Sequence, residues 1–117
     1  MLRYDSPVQL TSRLALEDVE IGGKEICAGT EVDLLLGAAN AEHFPDPDRF
    51  DVGRPENRPV AFGYGIHFCL GAALARVEAQ VAVDTLVRRF PRLRLDGAPE
   101  RRPGVVLRGL SRLPLAF

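Results

Sequence analysis

From Val8 to Glu17 apolar and polar residues alternate: Val8, Leu10, Leu14 and Leu16 share one face, and Gln9, Thr11, Arg13 and Glu17 the other. A period of two predicts a strand with one buried face. The next stretch, "VEIGGKEI", predicts a tight hairpin, because Gly22 and Gly23 tolerate the positive φ that a two-residue turn requires. Glu31 to Gly37, "EVDLLLG", predicts a more buried strand. The three segments are expected to form one small antiparallel or mixed sheet.

The texture changes between His43 and Pro59. "HFPDPDRFDVGRPENRP" holds four prolines and little apolar periodicity, which predicts a meandering coil. So long an irregular stretch within one domain is uncommon and often functional. A long helix is predicted from Leu70 to about Arg89. Leu70, Leu74, Val77 and Val81 form its apolar stripe, and Arg76, Gln80, Asp84 and Arg88 a polar one. Asp84 precedes Arg88 in the order that favours pairing, and Pro91 ends the helix. The tail, "VVLRGLSRLPLAF", predicts short strands around Gly109, and no internal repeat is present.

Composition narrows the class. At 117 residues and 46% apolar the chain is the size of one domain, spanning residues 1–117. A net charge of -1 gives no reason to expect nucleic acid or an anionic membrane as partner. Every basic side chain except Lys24 is arginine, a bias that codon usage explains as readily as function. "MLRYDSPVQL" lacks the basic-then-apolar pattern of a secretory signal. The longest apolar run, Leu34 to Ala41, is too short to span a bilayer. Cys27 and Cys69 stand 42 positions apart, so a soluble, reduced, cytoplasmic protein without a disulfide is expected.

The chemistry concentrates in "FGYGIHFCLG", residues 62–71. Cys69 falls at the edge of the predicted helix, where unpaired backbone N–H groups favour a thiolate over a thiol. Gly63 and Gly65 open conformations closed to other residues, and Gly71 leaves room beside the first helical turn. Phe62 and Phe68 are expected to wall the sulfur from water. Such a thiolate suits a metal ligand or a nucleophile. A buried core thiol is a rival reading, and so is a redox cysteine, although no resolving partner stands in a C-x-x-C arrangement. Cys27, His43, His67 and Cys69 have the count for tetrahedral zinc, but spacings of 16, 24 and 2 match no zinc-knuckle pattern.

Those ten residues resemble the haem-binding signature of the cytochrome P-450 family, Phe-x-x-Gly-x-x-x-Cys-x-Gly, at Phe62, Gly65, Cys69 and Gly71. Gly63 and His67 are typical of its bacterial members. "FPDPDRF" resembles the family's meander, "GAALARVEAQVAV" the helix after the cysteine, and "MLRYDSPVQLTSR" the end of a long helix and its following strand. The closing residues resemble the family's C-terminus. The resemblance implies an α+β part of a mainly α fold: a small β-sheet, an irregular meander, a haem-ligand loop, one long helix after the cysteine and a C-terminal β-hairpin.

It further implies haem b, iron protoporphyrin IX, with Cys69 as thiolate axial ligand of the iron. Thiolate donation favours O–O cleavage, and backbone N–H groups around the sulfur temper that donation. Phe62 corresponds to the aromatic packed by the ligand loop, and His67 to a haem-propionate contact. Arg13 corresponds to a second propionate partner, since a buried anion needs donors. Val8 to Thr11 and Leu107 to Leu110 resemble substrate-facing segments. Arg3 matches the arginine of the family's Glu-x-x-Arg, and Arg49 its partner in the meander. Arg76 reads as a solvated helix arginine, with docking of an acidic redox partner as the alternative.

The implied activity is a haem-thiolate monooxygenase. It inserts an oxygen atom of O₂ into a small organic substrate and takes electrons from a ferredoxin or flavoprotein.

Two departures qualify the match. The glutamate of Glu-x-x-Arg would fall one position before Met1, and the oxygen-activating helix with its acid–threonine pair has no counterpart in this sequence. "AANAEHFPDP" also runs about two residues short of the usual pattern, which is expected to shift the meander. The alternative expectation is therefore a truncated, catalytically inactive remnant or a weak haem binder.

Overall fold

Short local strands, one long helix and a proline-rich connection describe the chain in the computed structural model, which covers residues 1–117. Contacts divide it into two units, Met1–Ala61 with Gly104–Leu107, and Phe62–Pro103 with Arg108–Phe117. No helix is long and apolar enough to cross a membrane.

In the first unit, β1 (Thr11–Leu14) pairs antiparallel with β4 (Glu31–Leu34), Thr11 opposite Leu34 and Leu14 opposite Glu31. Between them β2 (Val19–Ile21) and β3 (Lys24–Ile26) form the hairpin that the paired glycines predict. Gly22 and Gly23 take φ of +61° and +76°, the left-handed geometry whose twist matches the strands. Asp18 closes the hairpin's base by accepting the Ala28 N–H at 2.7 Å.

Three expectations change here. The strands form two separate two-stranded sheets rather than one, because β2 and β3 pair only with each other. The faces of β1 are reversed: Leu14 is 60% exposed and Leu16 is exposed, while Thr11 and Arg13 are half-buried. A two-stranded ribbon has no second layer within its unit to cover the leucines. The third segment is not buried, and it ends as a strand at Leu34. There α1 (Leu36–Glu42) begins, a helix absent from the expectations because "LGAANAE" has no apolar stripe.

The meander from His43 to Pro59 is irregular, as expected. Phe44 and Ala61 are buried in this unit, and so are three polar residues, Arg3, Ser6 and Asn40. Val8 bridges Leu107, and the Gln9 N–H donates to the Val106 carbonyl at 2.8 Å. Two segments expected to face substrate are thereby tied side by side.

The second unit is built on α2 (Ala72–Arg89), which starts two residues later than expected because Gly71 occupies the N-cap. Arg88 donates to Asp84 at 2.7 Å, the predicted pair. Leu70, Leu74, Val77 and Val81 are all exposed within this chain. The tail folds into β7 (Leu110–Arg112) and β8 (Leu115–Ala116). Their partners are β6 (Glu100–Arg101) and β5 (Arg94–Leu95), so the β6–β7 hairpin is nested inside the β5–β8 pair. The Phe90 and Phe117 rings, 4.7 Å apart, hold the last residue against the end of α2.

Candidate functional site

The loop from Phe62 to Gly71 is closed by one backbone hydrogen bond, Cys69 N–H to the Phe62 carbonyl at 2.9 Å. Gly63 and Gly65 make the closure possible with φ of +73° and +64°. At Gly65 only the dihedral demands glycine, since a Cβ there would meet nothing. At Gly63 a Cβ would also come within 3.4 Å of the His67 carbonyl oxygen. A 3₁₀ turn over Gly65–His67 follows, with the Phe68 N–H donating to Gly65, and lifts the chain toward Cys69. The Cys69 carbonyl then accepts the Ala72 N–H at 3.2 Å, leading directly into α2.

Six sequence-predicted residues therefore share this loop: Phe62, Gly63, Gly65, His67, Cys69 and Gly71. Cys69 is a free and exposed thiol, which corrects the expected aromatic shielding. Phe62 and Phe68 meet edge to face, with centroids 6.4 Å apart, rather than closing over the sulfur. The Arg76 guanidinium lies 5.5 Å over the Phe62 ring, so this residue packs on the loop rather than only facing solvent. His67 is exposed, and a Cβ on Gly71 would stand 3.9 Å from Sγ.

Arg3, Arg13 and Arg49 belong to the first unit. Arg13 donates to Thr11 Oγ1 at 3.0 Å and to the Ser12 carbonyl at 2.7 Å, both on its own strand. Arg3 is 7% exposed and reaches the meander, where its two terminal nitrogens donate to the Pro47 and Arg49 carbonyls at 2.9 and 3.3 Å. It also lies 5.5 Å over the Phe44 ring. The meander partner of Arg3 is thus the Arg49 backbone, and the Arg49 guanidinium stands 3.9 Å from Asp51.

Two further residues escaped the sequence reading. Arg54 donates to the Pro45 and Asp46 carbonyls at 2.7 and 3.1 Å, so the meander is gripped by two arginines. Asn40 binds the Val60 N–H at 2.8 Å. Asn40 reaches a backbone group twenty residues away, whereas Arg54 grips carbonyls nine and eight residues back within the meander itself.

The ligand loop fits a thiolate-bound haem in its donor chemistry. It presents one soft sulfur donor at the surface, flanked by the exposed apolar side chains of Ile66, Phe68 and Leu70 and by the imidazole of His67. A flat, apolar, iron-bearing ring with anionic substituents asks for those groups.

The cytochrome P450 family model matches residues 1–108. The chain is 49% identical over 119 residues to the biotin biosynthesis cytochrome P450 of Bacillus subtilis, covering 99% of this chain and 30% of that protein. It is 52% identical over 120 residues to cytochrome P450 107B1 of Saccharopolyspora erythraea, covering 97% and 30%. Among solved structures it resembles P450BioI in complex with an acyl carrier protein ligated to hexadec-9Z-enoic acid, at TM-score 0.96 and 48% identity. That match covers 99% of this chain and 31% of the other. The chain therefore spans about 30% of the length of the relatives it matches. Signature, fold and relatives lead to one conclusion: the chain belongs to the cytochrome P450 family of haem-thiolate monooxygenases, whose cofactor is haem, iron protoporphyrin IX.

Proposed function

We propose that this chain supplies the haem-ligating part of a P450 monooxygenase, with Cys69 as the axial thiolate. The observation that carries the reading is the loop itself. Two left-handed glycines and the Cys69–Phe62 hydrogen bond hold an exposed thiol at the entry to α2. When bound, the haem supplies O₂ activation, and thiolate donation assists O–O cleavage. In the overall reaction one oxygen atom enters an organic substrate and the other leaves as water, using two electrons and two protons. The electrons come from a ferredoxin or flavoprotein in this reading.

The residues divide the remaining work. His67 donates to a propionate from the ligand loop, and Arg13 does so from β1. The Arg13 guanidinium donates to Thr11 and Ser12 on its own strand, and in this reading a propionate would be a further, charge-assisted acceptor. Arg3 and Arg54 fix the meander, and Phe62 supports the loop with Arg76 across its ring. Two free cysteines suit the reducing cytoplasm.

A second reading is favoured by one observation. Ile66, Leu70, Val77 and Val81 are exposed, so apolar surface on the ligand loop and on α2 is left uncovered within this chain. In that reading the isolated chain binds haem weakly and shows no turnover. Reconstitution with haem, followed by electron paramagnetic resonance of the ferric form, tests the ligand. The thiolate reading expects a low-spin thiolate signal that Cys69→Ala abolishes, and a signal shared by the variant would refute it.

A further inference from the structure

We propose that Asn40 is a positioning residue for the ligand loop, holding the stem from which the Phe62–Cys69 closure hangs. The inference rests on the reading of Cys69 as the iron ligand. Asn40 is 1% exposed, the one large side chain that is fully buried. From α1 its Oδ1 accepts the Val60 N–H at 2.8 Å, twenty residues away. That bond fixes the amide's orientation, because only the oxygen can accept. The other end, Nδ2, is buried without a partner.

An unsatisfied buried donor destabilises, so packing alone does not account for asparagine at this position. Leucine would fill similar space with no orphan nitrogen. What leucine cannot do is accept the Val60 N–H. Val60 continues through buried Ala61 into Phe62, whose carbonyl receives the Cys69 N–H. A short covalent link thus joins two hydrogen bonds, one holding the end of the meander and one closing the ligand loop. Without Oδ1 the Val60 N–H is orphaned and the stem is released where the meander hands over to the loop.

Amide hydrogen exchange on the full haem-free chain tests this, with Asn40→Leu and Asn40→Asp beside the wild type. Asn40→Leu is expected to speed exchange about tenfold at both Val60 and Cys69 and to leave the middle of α2 unchanged. At this buried position the Asn40→Asp carboxyl is held in its protonated form, whose carbonyl oxygen still accepts, and the variant is expected to restore protection at both amides. With haem added, Asn40→Leu should lose most of the thiolate-type ferrous–carbon monoxide band, and Asn40→Asp should regain it. Faster exchange at Val60 alone would overturn the coupling. Loss of protection throughout α2 without rescue by aspartate would overturn positioning in favour of a general structural role. A wild type with no thiolate band defeats the reading of Cys69, while exchange at Cys69 still decides for or against the anchor.

Discussion

Gly63 and Gly65 adopt similar dihedrals for different local reasons, and that difference is measurable. Alanine at Gly65 meets only the left-handed backbone penalty, about 1–2 kcal/mol. Alanine at Gly63 meets the same penalty and also presses on the His67 carbonyl. Urea denaturation is expected to rank Gly63→Ala below Gly65→Ala, with both below wild type. Arg3 makes a second residue-scale case. Its buried guanidinium serves two meander carbonyls, so Arg3→Leu should lower stability by about 2–4 kcal/mol. Arg3→Lys should recover less than half of that, because an ammonium cannot reproduce the fork. Equal recovery by lysine would mean that charge, not geometry, holds the meander.

Elements differ in how far the sequence foretells them. The Gly22–Gly23 hairpin and α2 were legible because their signals are local: a two-glycine turn, apolar and polar stripes, a terminating proline. The helix α1 was not, because "LGAANAE" carries a glycine, an asparagine and no periodic apolar face. The burial of β1 is not legible from its alternation, which reports two faces without saying which one finds a cover. At the candidate site, the signature groups six residues in one loop because they lie within ten positions of each other, whereas Arg54 and Asn40 act through backbone contacts that leave no trace in spacing. The Asp84–Arg88 pair was predictable yet should matter little: both side chains are well exposed, and Asp84→Asn is expected to change helix stability by at most about 0.5 kcal/mol. Thermal denaturation followed by circular dichroism checks that bound.

Across the whole molecule, few apolar side chains find cover. Phe44, Ala61 and Ala72 are the buried apolar residues, while the stripe of α2 from Leu74 to Val81 stays open. Apolar surface of that kind binds apolar dyes and drives association. The isolated chain is therefore expected to bind anilinonaphthalene sulfonate and to sediment as concentration-dependent oligomers. Leu74→Gln with Val81→Gln should weaken both effects, and a monodisperse, dye-silent wild type would show that the stripe is covered in solution.

The central claim, that Cys69 is the thiolate bound to haem iron, has one direct measurement: the absorption spectrum of the haem-reconstituted chain, reduced and exposed to carbon monoxide, recorded beside Cys69→Ala. The account predicts a strongly red-shifted Soret band in the wild type that vanishes in the variant. No such band, or one that both proteins share, would contradict it.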